Sequence, residues 1–135
     1  MSDLIIFDTS VLVDQLRTDR HRRRIETLSG LIRNSSVVMA ELWRGAATPA
    51  DREALLALGR NHPMLTPTGK NWLDSGEILA NIRAERSLAA DKLRDLHFDV
   101  LIALTACSHG ARLITSNRVD FEMIGRYRKL ELEIW

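Results

Sequence analysis

Apolar residues recur along the chain in two rhythms, and the switches between them mark out the elements. Leu4, Ile5, Ile6 and Phe7 form a short continuous apolar run, which predicts a buried strand. The following "DTSVLVDQLR" suits a turn and a helix start, because Asp, Thr and Ser all cap well. "RHRRRIETLSGLIR" is a basic segment with Ile25, Leu28, Leu31 and Ile32 at helical spacing, and the stretch 31–39 holds a second short strand. "MAELWRGA" opens a helix with Gly45 inside or near its end, and "TPADREALLALGR" predicts another, lined by Leu55, Leu56 and Leu58 and closed by Gly59. "NHPMLTPTG" is a loop or short strand. Two helical regions follow. "KNWLDSGEILANIRAERS" repeats its apolar residues every three or four positions, and "DKLRDLHFDVLIALTACSHG" stops at Gly110. "ARLITSN" predicts a buried strand, "VDFEMIGRYRK" a short helix or turn, and "LELEIW" a last, half-buried strand.

Strands separated by helices predict an α/β fold with a mostly parallel sheet and helices on both faces. The first strand has both its neighbours far along the chain, so its carboxyl end is a candidate switch point, where open α/β sheets bind ligands. The 135 residues fit a single domain over 1–135. With 45% apolar and 27% charged residues, a soluble globular protein is expected. A net charge of +1 neither points to nor excludes a nucleic-acid partner, since local patches matter more than the total. Cys107 is the only cysteine and lies in the apolar run "LIALTAC", so a buried, inert thiol is expected. The chain lacks a signal-peptide pattern and any run long enough to span a membrane, which predicts a cytoplasmic location. His21, His62, His97 and His109 show no zinc-ligand spacing.

Among eighteen acids, four stand where an apolar element ends or begins. Asp8 ends the first strand, Glu41 opens a helix after "SSVVMA", Asp99 opens "DVLIALTA", and Asp120 follows "LITSN" by a short turn. Each alone can be a helix cap or a solvated charge. In a parallel sheet, Asp8 and the "TSN" turn share the carboxyl edge, and the helices can bring Glu41 and Asp99 to it. Carboxylates that converge raise one another's pKa, and a hard divalent cation removes that penalty.

The four fragments "IIFDTSVLVD", "SSVVMAELWRG", "FDVLIALTACSHGARLITSN" and "TSNRVDFEMI", in this order and spacing, resemble the PIN-domain ribonucleases, and within them the VapC-type toxins of toxin–antitoxin operons. The resemblance covers nearly the whole chain. It implies a three-layer α/β/α sandwich around a parallel sheet and an endoribonuclease dependent on Mg²⁺ or Mn²⁺. Asp8, Glu41, Asp99 and Asp120 match the acidic cluster that binds metal, with Asp8 and Asp99 expected closest to it. Ser10, Thr115 and Asn117 match residues that support the site. The implied reaction is attack by metal-activated water, leaving 5′-phosphate and 3′-hydroxyl ends. His97 departs from the pattern, because relatives often carry another acid there. The implied partners are RNA, a cognate antitoxin and a second copy of the chain, with no membrane.

Arg17, Arg20, Arg22, Arg23 and Arg24 could contact RNA phosphates, contact a partner protein, or simply form a solvated helix face. Trp43, Trp72 and Trp135 could stack on bases or pack in a core or interface. Leu42, Trp43, Leu55, Leu56 and Leu58 are candidates for an antitoxin groove or ordinary core. A haloacid-dehalogenase phosphatase would need an Asp where this chain has Ser10. An RNA-processing PIN nuclease outside any toxin–antitoxin pair, or a non-catalytic PIN-like module that binds RNA or protein, are the remaining alternatives.

Overall fold

The opening apolar run forms β1 (Leu4–Phe7), in which Ile5, Ile6 and Phe7 are buried. In this computed structural model, which describes residues 3–135, β1 is the middle strand of a five-stranded sheet. The other strands are β2 (Leu31–Ser35), β3 (Met64–Leu65), β4 (Arg112–Thr115) and β5 (Leu132–Ile134). Their order is β3-β2-β1-β4-β5, and every pairing is parallel. Burial on both faces explains why β1 reads as a continuous apolar run rather than an alternating one, and why Leu113 and Ile114 of β4 are apolar in succession. The chain steps outward from β1 to β2 to β3, then returns to the other side of β1 for β4 and β5. The carboxyl end of β1 is therefore the point where strand order reverses, as expected.

Among the described residues, seven helices connect the strands: α1 (Thr9–Thr18), α2 (Arg22–Glu26), α3 (Ser36–Arg44), α4 (Pro49–Asn61), α5 (Gly69–Glu85), α6 (Ala90–Ser108) and α7 (Arg118–Ile124). Right-handed crossovers that step in opposite directions place their helices on opposite faces. This puts α1–α4 on one face and α5–α7 on the other. Across the carboxyl edge, α3 also meets α6. α6 is apolar all round over its second half, with Val100 to Ala106 buried, and so forms the interior helix of its layer.

Four local expectations differ from the structure. The helical spacing of Ile25 to Ile32 is broken at Gly30, whose φ of +135° disfavours any side chain, and the chain turns there into β2. Val37, Val38 and Met39 lie in α3 rather than in a strand, because the Ser35 hydroxyl accepts a hydrogen bond from the Val38 amide and starts the helix early. Glu41 consequently lies inside α3 instead of opening it, and Asp99 lies inside α6, which already starts at Ala90. Gly59 sits within α4, which runs on to Asn61; the start of α4 is fixed by the reciprocal cap of Thr48 and Asp51 with Pro49 beside it.

Candidate functional site

Asp8 occupies the position of an N-cap for α1, yet its carboxylate makes no capping bond. Oδ2 accepts hydrogen bonds from Ser10 Oγ and Thr115 Oγ1, both at 2.8 Å. Each hydroxyl accepts a backbone amide in turn: Ser116 N donates to Ser10 at 3.1 Å, and Asn117 N to Thr115 at 2.9 Å. A hydroxyl that accepts from an amide is left to aim its proton elsewhere, and here both aim at Asp8. These bonds tie the ends of β1 and β4 together around a carboxylate that is 3% exposed. Burial at that level requires such partners.

Asn117 does cap its helix. Its Oδ1 accepts from Asp120 N at 3.3 Å, and its Nδ2 donates to Asp120 Oδ2 at 3.0 Å. Lys92, from the first turn of α6, donates to both oxygens of Asp120, at 2.9 and 2.8 Å. Glu41 Oε1 accepts from Thr9 Oγ1 at 2.8 Å, which links α3 to the start of α1.

The four acids act on one another electrostatically. Burial pushes the Asp99 carboxyl up to about 8, and the charges of Asp8, Asp120 and Glu41 push it in the same direction against the opposing pull of Lys92. Burial also raises Glu41; the Thr9 hydrogen bond opposes this, and the charges of Asp8 and Asp95 add to it. Asp8, Glu41, Asp99 and Asp120 are thus gathered in one field at the carboxyl edge of the sheet.

The donor set is all carboxylate and hydroxyl oxygen, which suits Mg²⁺ or Mn²⁺ and excludes a soft, thiolate-type ion. The surplus negative charge around Asp99 also fits a cation. Among the described residues, however, no three His, Cys, Asp or Glu side chains stand close enough together to hold an ion as they are. Asp8, Glu41 and Asp120 are instead turned to donors of the chain itself.

Three residues next to the acids escaped the sequence reading. Lys92 lies seven residues before Asp99, two helical turns away on the same stripe, and Asp95 lies four before it. That spacing was a usable signal. Thr9 carried no signal beyond its hydroxyl, because its partner Glu41 is 32 residues away. Asp14 stands apart from the site, 3.7 Å from both Arg20 and His21.

The basic segment divides. Arg20 and Arg22 pair with Asp14 and Asp19 around the far end of α1 from Asp8, whereas Arg24 stacks over Trp135, which packs on Phe7. Arg23 is exposed on α2. Arg17 lines a groove of about 260 Å³ between α1, α3 and α4, together with Leu16, Glu41, Leu42, Ala46 and Leu55. Leu42 and Leu55 form its buried floor, while Trp43 and Leu56 are exposed and Leu58 packs against the core. Trp72 is exposed, and Trp135 packs on Phe7 and His21. Burial raises the pKa of the Cys107 thiol, which donates to the Lys129 carbonyl at 3.3 Å, so it is a poor nucleophile. No helix among the described residues is long and apolar enough to cross a membrane.

Residues 5–126 match the family profile described as PIN domain. Comparison with curated proteins gives no significant match. Among solved structures, VapBC2 from Rickettsia felis, bound there to a promoter DNA fragment, aligns with a TM-score of 0.75 at 23% identity, covering 98% of each chain. VapBC-1 from nontypeable Haemophilus influenzae aligns at 0.74 with 23% identity and the same coverage. VapBC-5 from Mycobacterium tuberculosis, a member of the VapBC family of toxin–antitoxin systems, aligns at 0.60 with 26% identity, again over 98% of each chain.

Proposed function

The chain belongs to the PIN-domain family, and from that premise we propose that it is the toxin of a type II toxin–antitoxin pair, acting as a divalent-metal-dependent endoribonuclease. The observation that carries the chemistry is the gathering of Asp8, Glu41, Asp99 and Asp120, in which burial first, and then the charges of the other three acids, keeps Asp99 protonated near neutral pH. A site built only to stabilise the fold has no use for four carboxylates that oppose one another's ionisation.

Asp8, Asp99 and Glu41 would hold Mg²⁺ or Mn²⁺, with Asp120 direct or through water. When bound, such an ion lowers the pKa of water and offsets the charge of a phosphodiester transition state. Ser10 and Thr115 fix the Asp8 carboxylate through Oδ2, and Thr9 fixes Glu41 through Oε1. Glu41, its carboxyl raised by burial, is suited to take the proton of the attacking water at Oε2. Asn117 and Lys92 hold Asp120 in place. Direct attack by water on phosphorus needs no 2′-hydroxyl and leaves 5′-phosphate and 3′-hydroxyl ends. Arg17, beside Glu41, is the arginine of the basic segment best placed to meet an RNA phosphate.

The toxin assignment draws on the likeness to the Mycobacterium tuberculosis protein and on the groove between α1, α3 and α4. Its apolar floor suits a segment of antitoxin, and because Glu41 forms part of its wall, an occupant would cover the acidic centre. A homodimer belongs to the same proposal.

The test compares wild type with Asp8→Asn on structured RNAs, with Mg²⁺ or Mn²⁺ and with EDTA. Asp8→Asn should cut at least about 100-fold more slowly, and EDTA should abolish cutting by the wild type. Equal cleavage by both proteins, or cleavage indifferent to EDTA, rejects the metal site. Expression of the wild type should arrest growth and Asp8→Asn should not; RNA cleavage without arrest rejects the toxin assignment alone.

A further inference from the structure

An RNA strand that reaches the carboxyl edge of the sheet brings its phosphates up to a group of acids, and it needs a cation there. Lys92 is committed to both oxygens of Asp120, and Arg94, further along α6, pairs with Asp91. Arg44 is held in another way. Its guanidinium lies over the ring of Phe98, with Cζ 5.7 Å from the ring centroid. This contact joins α3 to α6 beside two of the acids. Arg44 follows Glu41 by three positions on the same face of α3, and Phe98 directly precedes Asp99 in α6. The Phe98 ring is 37% exposed, so the pair stands at the surface. Burial raises the Glu41 carboxyl, and Arg44 joins the Thr9 hydrogen bond in pulling it back, so the charge of the arginine reaches the acidic centre.

We propose that Arg44, held against the Phe98 ring, grips a phosphate of the RNA strand beside the acidic centre. This rests on the ribonuclease reading above and adds to it a contact with the substrate. A guanidinium stacked on a ring uses its face, while its N–H donors lie in its plane and stay free for the forked recognition of a phosphate. Among the described residues, no carboxylate forms an ion pair with Arg44. The ring also restricts a long side chain before RNA arrives, which lowers the cost of ordering it on binding. Arg44 touches substrate in this scheme, and Phe98 is a positioning residue that acts through it.

The experiment reads binding apart from cleavage. The full chain carrying Asp8→Asn is titrated, in EDTA, into a fluorescein-labelled single-stranded RNA of mixed sequence, and anisotropy gives the affinity over a series of salt concentrations. Adding Arg44→Gln should weaken binding about tenfold and lessen the slope of log affinity against log salt by about 0.7, the share of one phosphate on a single strand. Arg44→Lys should keep the slope, because the charge remains. Phe98→Leu should weaken binding about threefold while Arg44 is present and add nothing to Arg44→Gln, since it acts through the arginine. Thermal unfolding by circular dichroism verifies that each variant is folded. Unchanged affinity and slope in folded Arg44→Gln overturn the proposal while leaving the ribonuclease reading standing. Absence of RNA binding by every protein, the one carrying Asp8→Asn alone included, overturns that reading and this proposal together.

Discussion

Asp99 keeps a proton near neutral pH that the unfolded chain gives up above about pH 4. The sign of its effect on stability follows. Between the unfolded pKa and about 8, the native state binds one proton more than the unfolded state, so stability falls as pH rises. The slope for one proton is about 1.4 kcal/mol per pH unit, and it ends once the native carboxyl ionises. Urea unfolding of the metal-free protein from pH 5 to 8 should show this decline. Asp99→Asn should flatten it and raise stability at pH 8, while abolishing RNA cleavage. A variant that leaves the slope unchanged would mean that Asp99 is not the group responsible. The hydroxyls on Asp8 work differently, because Ser10 and Thr115 each take an amide hydrogen bond and pass a proton to a single carboxylate oxygen. They set direction rather than charge.

At the scale of elements, α6 serves two purposes along its length. Its second half is interior packing from Val100 to Ala106, and its first half carries Lys92, Asp95 and Asp99 at two-turn and one-turn spacings toward the acidic centre. The rigidity of the apolar half fixes where the charged half points. The turn into β2 is a second constrained element. Gly30 has φ of +135°, and a Cβ there would fall 2.8 Å from the Asp3 carbonyl oxygen, which already accepts the Leu31 amide at 2.6 Å. Gly30→Ala should therefore strain the entry of β2 beside β1 and lower stability by more than about 1 kcal/mol, read as a lower urea midpoint. An unchanged midpoint would show that the turn can relax without that glycine.

For the whole molecule, the groove between α1, α3 and α4 joins the surface to the acidic centre through Glu41. Leu16 lies on its rim at 47% exposure, so its replacement leaves the core intact. Leu16→Glu should weaken binding of the cognate antitoxin at least about tenfold while leaving RNA cleavage and the melting temperature unchanged. Equal affinity would place the antitoxin elsewhere. Much of this architecture is local in origin and could be read from the sequence. A continuous apolar run marked β1, the apolar pair Leu113 and Ile114 marked β4, and apolar spacing marked α5 and α6, because burial imposes those patterns on nearby residues. The four acids stood out because each lay beside such a run. What lay beyond the sequence depended on contacts between distant residues or on backbone geometry. The turn into β2 hung on the room that Gly30 leaves beside the Asp3 carbonyl, and the start of α3 on the Ser35 hydroxyl. The partners of the acids were also hidden, since Thr115 reaches Asp8 across 107 positions and Lys92 reaches Asp120 across 28. Sequence determined which residues could carry charge to the sheet edge; the strand order and the crossing of α3 with α6 decided how close they came, and only at that range does one carboxylate shift another or a lysine choose its partner.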